Sequence, residues 1–294
     1  MIKRLFVLIF SLILSSSALA EIKIRWLSVA SVIIEDGDSS ILVDPDWTRP
    51  NLFHVLGFSK LVSNEGLVKA ELEKLQIKKV SGIFTSHSHF DHAIDAPIVA
   101  RLTDAINYVD ESSLRISNAY KDPRIKTMLI KAGSEIPIGK FKITPMKREH
   151  AKIGLIHMHF LPGPVPEDFD FGFWQYKTGD TWFYLIEHPE KTILLDQGSA
   201  SHINLMTTKP LKVDVLIQGV ANRENDQAIV TGYLKEFRPS VFIPLHFDNF
   251  FKEFDGENLG RLFGIKLDPL LELIHQEYPQ TKVINPHYGE VIIP

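Results

Sequence analysis

The chain has 294 residues, 45% of them hydrophobic and 23% charged, enough to bury a full core as one large domain or two small ones. Its formal charge is −4 and it has no Lys/Arg cluster of the kind that tracks a phosphate backbone, so nucleic acid is excluded as a standing partner and a small-molecule substrate fits better. It has no cysteine, which removes disulfides, cysteine nucleophiles, thiolate metal ligands and lipid-modified cysteine, and leaves nitrogen and oxygen as the donors of any metal site.

Residues 1–20 read as a signal peptide: Lys3 and Arg4 form a positive start, Leu5 to Leu14 an apolar run, and Ala18-Leu19-Ala20 a small-x-small cleavage site. The apolar run is well short of the roughly 20 residues that cross a bilayer, so the expectation is export to the periplasm or beyond, with no stable membrane span. The remainder, residues 21–294, is expected to be one α/β domain. It opens with period-2 and β-branched runs around Asp36-Gly37-Asp38, which predict a strand hairpin with a tight turn. Gly66 to Gln76 has apolar residues at helical spacing, and Val80 to Ser86 is a short strand of the buried type. "FKITPM", "KTILLD", "VDVLIQG" and "SVFIPLH" predict further strands, and "NDQAIVTGYLKEF" and "LDPLLELIHQEY" predict helices.

The strand at Val80 to Ser86 runs directly into "HSHFDH", residues 87–92, which packs His87, His89, Asp91 and His92 into six positions. Side chains from consecutive backbone positions at a strand end converge on one point, and neutral imidazoles with a carboxylate are the donors that zinc and similar ions take where thiolates are missing. Further ligands should also end strands. His150 follows the "FKITPM" strand, Asp196 ends "KTILLD" and His246 ends "SVFIPLH". His157 and His159 form a second H-x-H and compete for the place of His150, which is preferred because it follows its strand directly. Asp44, before Pro45, is expected to orient a histidine from behind the site.

The pattern H-x-H-x-D-H in His87, His89, Asp91 and His92, with "VIIEDGDSSILVDP" near the start and "PLH" near the end, resembles the metallo-β-lactamase superfamily over essentially the whole chain after residue 20. The chain is most similar to the hydrolase group that contains ascorbate-phosphate lactonase and the N-acylphosphatidylethanolamine-type phospholipases D. The resemblance implies an αββα sandwich of two mixed sheets flanked by helices. It also implies one metal on His87, His89 and His150, a second on Asp91, His92 and His246, and Asp196 bridging both. Two divalent ions, Zn2+ or else Mn2+ or Fe2+, would lower the pKa of a water between them towards about 7 and polarise the bond to be cleaved. Asp91 and Asp196 are the expected catalytic carboxylates.

The expected activity is hydrolysis of an ester, lactone or phosphodiester substrate with an apolar or acyl portion. The alternatives are a non-catalytic zinc-binding protein and a mononuclear iron oxygenase on the same fold. Residues 154–182 are rich in aromatic side chains, including Phe171 and Trp174, and form either a lid over the metals or a strand with one buried face. Phe247, Phe250 and Phe251, after the last ligand, are candidates for the opposite pocket wall, with His157 and His159 as candidate substrate contacts.

Overall fold

The computed structural model describes residues 21–152, 160–197, 211–221, 223 and 225–294; the expected signal peptide, His157 and His159 lie outside the described residues. The strands are β1 Lys23–Trp26, β2 Val32–Glu35, β3 Ser40–Val43, β4 Gly82–Phe84, β5 Ile106–Val109, β6 Lys126–Leu129, β7 Ile136–Ile138, β8 Phe141–Arg148, β9 Thr181–Glu187, β10 Thr192–Asp196, β11 Val215–Gly219, β12 Val241–Leu245, β13 Lys282–Val283 and β14 Val291–Ile292. They form two seven-stranded sheets, in the orders β14-β1-β2-β3-β4-β5-β6 and β13-β12-β11-β10-β9-β8-β7. Both sheets are mixed, and each changes from antiparallel to parallel pairing partway across, at β3/β4 in the first and at β10/β11 in the second.

The alternation of side chains along these strands explains the layering. Ile24, Trp26, Ile34, Val43 and Phe84 of the first sheet meet Ile143, Tyr184, Ile193, Leu195, Ile217 and Ile243 of the second in one buried cluster. The opposite-facing Ile33, Leu42 and Ile83 pack under Val68, Leu72 and Val99 of the helices Glu65–Lys74 and Ala96–Thr103. Behind the second sheet, Asp226–Ile229 runs through a π-turn, Val230–Leu234, into Lys235–Phe237, alongside the helix Leu267–Glu277. Among the described residues, no helix is long and apolar enough to cross a membrane.

The expected hairpin is β2–β3, closed by Asp36, whose Oδ1 accepts from the N–H groups of Asp38 and Ser39 at 2.9 and 2.7 Å. Residues 160–182 are neither the expected strand nor a free-standing lid. Phe169, Phe173 and Tyr176 are buried with Leu61, Phe90, Ala93 and Ile94 in a third core, around a single 3-10 turn at Phe173–Gln175, and Trp182 belongs to β9.

This third core backs the turn Phe90–Ala93 that carries Asp91 and His92, and Asp95 fastens the same turn from the other side. The Asp95 carboxylate is sealed from solvent and accepts from Trp47 N (2.7 Å), Thr48 N (2.9 Å), Thr48 Oγ1 (2.7 Å) and Ser63 Oγ (2.5 Å). Removing the acceptor strands buried donors, each at about 1–3 kcal/mol. Asp95→Ala is therefore expected to destabilise the fold by about 3 kcal/mol or more, read from the midpoint of urea unfolding. An unchanged midpoint would show that the loop at Trp47–Thr48 is held by other means.

Candidate metal centre

Each candidate ligand lies at or just beyond a strand end or on the short turn Phe90–Ala93. β4 stops at Phe84, and the chain turns so that His89, in extended backbone, caps the turn Phe90–Ala93; Ser88 N donates to Thr178 O at 2.9 Å and holds the loop in place. His150 follows β8 and His246 follows β12. His246 has φ +59, and its N–H donates to Val29 O at 2.8 Å. Val29 (φ +46) and Ser28 (φ +84) are themselves in the left-handed region and are tied down by Asp248, which accepts from Val29 N at 2.9 Å and Ser28 Oγ at 2.8 Å. Such conformations cost roughly 1–3 kcal/mol each in non-glycine residues and persist only where the surroundings over-determine them.

The result is two groups of three donors. His87, His89 and His150 form one, and Asp91, His92 and His246 the other, with the ligand atoms of each group within 4.8 Å of one another. The groups abut: the rings of His87 and His92 are 3.8 Å apart between centroids. Within them, His87 Nε2 lies 2.9 Å from His89 Nδ1, His92 Nε2 lies 3.1 Å from His246 Nε2, and Asp91 Oδ2 lies 3.3 Å from His246 Nε2.

The outer ring nitrogens show which atoms are left for a metal. His92 Nδ1 faces Asp44 Oδ2 at 2.9 Å, so that nitrogen carries the proton and Nε2 presents its lone pair to the site. Likewise His150 Nδ1 faces Ala151 O at 2.7 Å, and His89 Nε2 faces Phe160 O and Thr178 Oγ1, both at 2.9 Å. Imidazole nitrogens and a carboxylate aimed at common points are a donor set that fits two divalent cations.

Electrostatics agree with the geometry. Burial first, and then the charge of neighbouring imidazoles, lowers His87 well below its ordinary value. Burial is also the main cause that brings His89 down to about 4 and His150 down to about 3, so both are neutral ligands near pH 7. Burial opposes charge on His92 too, but the Asp44 and Asp91 carboxylates outweigh it and raise the pKa. For Asp91, burial acts upward, but His92 and His246 outweigh it and hold the carboxyl well below the usual range.

Asp44 sits where the sequence placed it, at the end of β3 behind His92, and accepts from Ser86 N and Ser86 Oγ as well, each at 2.6 Å. Asp196 ends β10 as expected, fully buried, but it belongs to neither donor group: its Oδ2 takes an ion pair with Arg148 and a 2.7 Å hydrogen bond from Tyr233 on the π-turn. A cavity of about 210 Å³ opens over both groups, walled by Phe90, Phe160, Phe250, Phe251 and Leu262. Of the expected wall residues Phe160, Phe250 and Phe251 are there. Phe247 packs on Trp26 in the core between the sheets, Phe171 packs on Tyr120 and Phe169, and Trp174 lies on the outer surface with its indole N–H on Val55 O.

Arg148, Tyr233, Thr178 and Ser86 were not singled out from the sequence. Only Ser86, next to the motif, and Arg148, two residues before His150, carried a signal that could have found them.

The depressed histidines set an acid limit on the metal-free protein. His89 and His150 bind protons more readily unfolded than folded, so their contribution to stability is complete above about 6.5 and is lost as pH falls through about 4 and 3. His92 has the opposite sign and contributes fully throughout that acidic window. The melting temperature of chelator-treated protein should therefore fall steadily from pH 6.5 to pH 4. A flat or rising profile would contradict the burial of these rings.

A family model described as the metallo-beta-lactamase superfamily matches residues 24–157, a span that holds the motif and His150. A UPF0173 protein of Pyrococcus furiosus is 24% identical over 240 residues, covering 81% of this chain and 89% of the relative. A UPF0173 metal-dependent hydrolase of Pyrobaculum islandicum is 30% identical over 118 residues, 40% of this chain and 45% of the relative. Among solved structures, Igni18, described as a novel metallo hydrolase from Ignicoccus hospitalis, superposes with a TM-score of 0.60 at 16% identity, covering 92% of this chain and 97% of its own. The paired seven-stranded sheets are those of the metallo-β-lactamase fold, and the superfamily match runs through the ligand motif.

Proposed function

We propose that the chain is an exported metal-dependent hydrolase that holds two divalent ions, zinc in the first instance, and cleaves an ester, lactone or phosphodiester. The observation that carries this reading is the pair of abutting three-donor groups at the base of an apolar cavity. His87, His89 and His150 would hold one ion, and Asp91, His92 and His246 the other. Two such ions supply Lewis acidity and lower the pKa of water between them, so that no protein nucleophile is required.

The chain's own residues set the geometry. Asp44 fixes the tautomer of His92, Phe160 O and Thr178 fix that of His89, and Ala151 O that of His150. Asp91 is held ionised, which suits a carboxylate that ligates and orients the attacking water and makes it a poor store for that water's proton. Asp196 is proposed as a bridge between the ions, with Arg148 as the cation that neutralises its buried carboxylate without them. Export rests on the composition of residues 1–20, and N-terminal sequencing of the protein recovered from a periplasmic extract would test it.

Metal analysis of the purified protein, together with activity against a simple ester, lactone and phosphodiester, tests the whole reading. Two ions per chain and turnover that chelation abolishes are expected. His89→Ala and His246→Ala should each lose bound metal and nearly all activity. Asp196→Ala should lose metal if Asp196 bridges the ions, whereas full retention of metal and activity would make it a structural partner of Arg148 and Tyr233. Asp44→Ala should weaken metal binding by about 10–100-fold in chelator competition, the range for loss of an outer partner of a ligating histidine. Wild-type affinity in that variant would remove Asp44 from the centre.

A further inference from the structure

We infer that Ser86 is a positioning residue through which one carboxylate, Asp44, sets the proton-bearing nitrogen of a ligand in each donor group, His92 in one and His87 in the other. The inference rests on the two-ion reading and supplies the outer partner of His87. His87 is buried, with Nε2 facing His89 Nδ1 at 2.9 Å and Nδ1 meeting Ser86 Oγ at 3.1 Å. A hydroxyl has one proton and two lone pairs, so what Ser86 does for His87 depends on where that proton goes. Asp44 Oδ2 lies 2.6 Å from Ser86 Oγ, the shorter contact, and a carboxylate is the stronger acceptor. With its proton on Asp44, Ser86 Oγ accepts from His87, which therefore carries its proton on Nδ1 and leaves Nε2 for a metal.

Backbone contacts fix where that hydroxyl sits. Ser86 N donates to Asp44 Oδ1 at 2.6 Å, Ser86 O accepts from Trp182 N of β9 at 2.7 Å, and Thr85 O accepts from the Tyr184 hydroxyl at 2.6 Å. The residue is thus tied to Asp44 on its own sheet and to β9 on the other, sealed from solvent. None of these contacts uses Oγ, so removing the hydroxyl takes away one acceptor and leaves the anchors of the loop in place.

The two rings do not depend on that oxygen equally. Ser86 Oγ is 3.1 Å from Nδ1 of His87 and 3.1 Å from Nδ1 of His92. His92 Nδ1 also has Asp44 Oδ2 itself at 2.9 Å and keeps it when the hydroxyl is gone. For His87 Nδ1, Ser86 Oγ is the one hydrogen-bond partner among the described residues. Asp44 therefore acts on His92 directly and on His87 through Ser86. Loss of Asp44 reaches both donor groups, whereas loss of the Ser86 hydroxyl reaches the group of His87, His89 and His150.

NMR of the imidazole nitrogens in the metal-free protein at neutral pH reads the tautomer directly. His87 should hold its proton on Nδ1 in the wild type and become a mixture of tautomers in Ser86→Ala. Zinc titration against a competing chelator reads the consequence. Ser86→Ala should bind one ion as tightly as the wild type and the other about 10–100-fold more weakly. Adding His246→Ala to that variant should remove the tight ion, and adding His150→Ala should spare it. A His87 proton on Nε2, shared with His89 Nδ1, would overturn the inference, as would Ser86→Ala with both ions weakened alike or neither weakened. Should Ser86→Ala not fold, the wild-type spectra decide alone. Fewer than two ions on the wild type would sink the two-ion reading, and the tautomer of His87 would still decide the role of Ser86.

Discussion

The contact on which the centre depends is between Asp44 and the end of the neighbouring strand. β3 and β4 run parallel with Val43 opposite Phe84, so the residues that follow them, Asp44 and Thr85-Ser86, leave the sheet side by side. Asp44, at φ +48, turns its carboxylate back to accept from Ser86 N, Ser86 Oγ and His92 Nδ1. One sealed carboxylate thereby fixes the start of the ligand loop, the orientation of a ligand ring and the nitrogen that carries its proton. Left without these partners it would be a buried charge, and the cost of that state is what holds the loop in a single conformation.

The same economy recurs around the site. The strained turn at Ser28-Val29 presents a carbonyl to His246, and Asp248 satisfies the turn's own donors. Asp95 does the equivalent for the loop at Trp47-Thr48. In each case a buried acceptor from one element caps backbone donors of another, so residues distant in the chain are held to within hydrogen-bonding tolerance. A metal centre needs such rigidity, because ligands displaced by even about half an ångström lose the geometry that makes them selective.

The parts of this arrangement legible in the sequence are those written locally. "HSHFDH" after a buried strand, and His150 and His246 after theirs, could be placed because a strand end and a ligand type coincide within a few residues. Asp44 was legible for the same reason. The pairing of Arg148 with Asp196 was not, since the two are 48 residues apart and nothing near either one announces the other. The aromatic segment after Phe160 was misread because it has no period: burial of Phe169, Phe173 and Tyr176 is decided by Leu61 and Phe90, which reach them only in the folded chain. Ile106–Val109 and Glu111–Ala119 were passed over in the same way, as a short strand and a short helix with weak patterns of their own.

Arg148 also bears on how charge is balanced in the core of the second sheet. Asp196 has no exposure to solvent, and a buried carboxylate must be neutralised or paired. Arg148 leaves β8 beside it, and Tyr233 reaches the same oxygen from the π-turn, a helical irregularity often found at functional sites. Burial opposes charge on Arg148, and the Asp196 carboxylate outweighs it and raises the pKa. A divalent cation at Asp196 would meet a carboxylate already matched by a positive charge. At Asp196 two cations, a metal and the Arg148 guanidinium, would therefore share one carboxylate, whose two oxygens set how that sharing is divided.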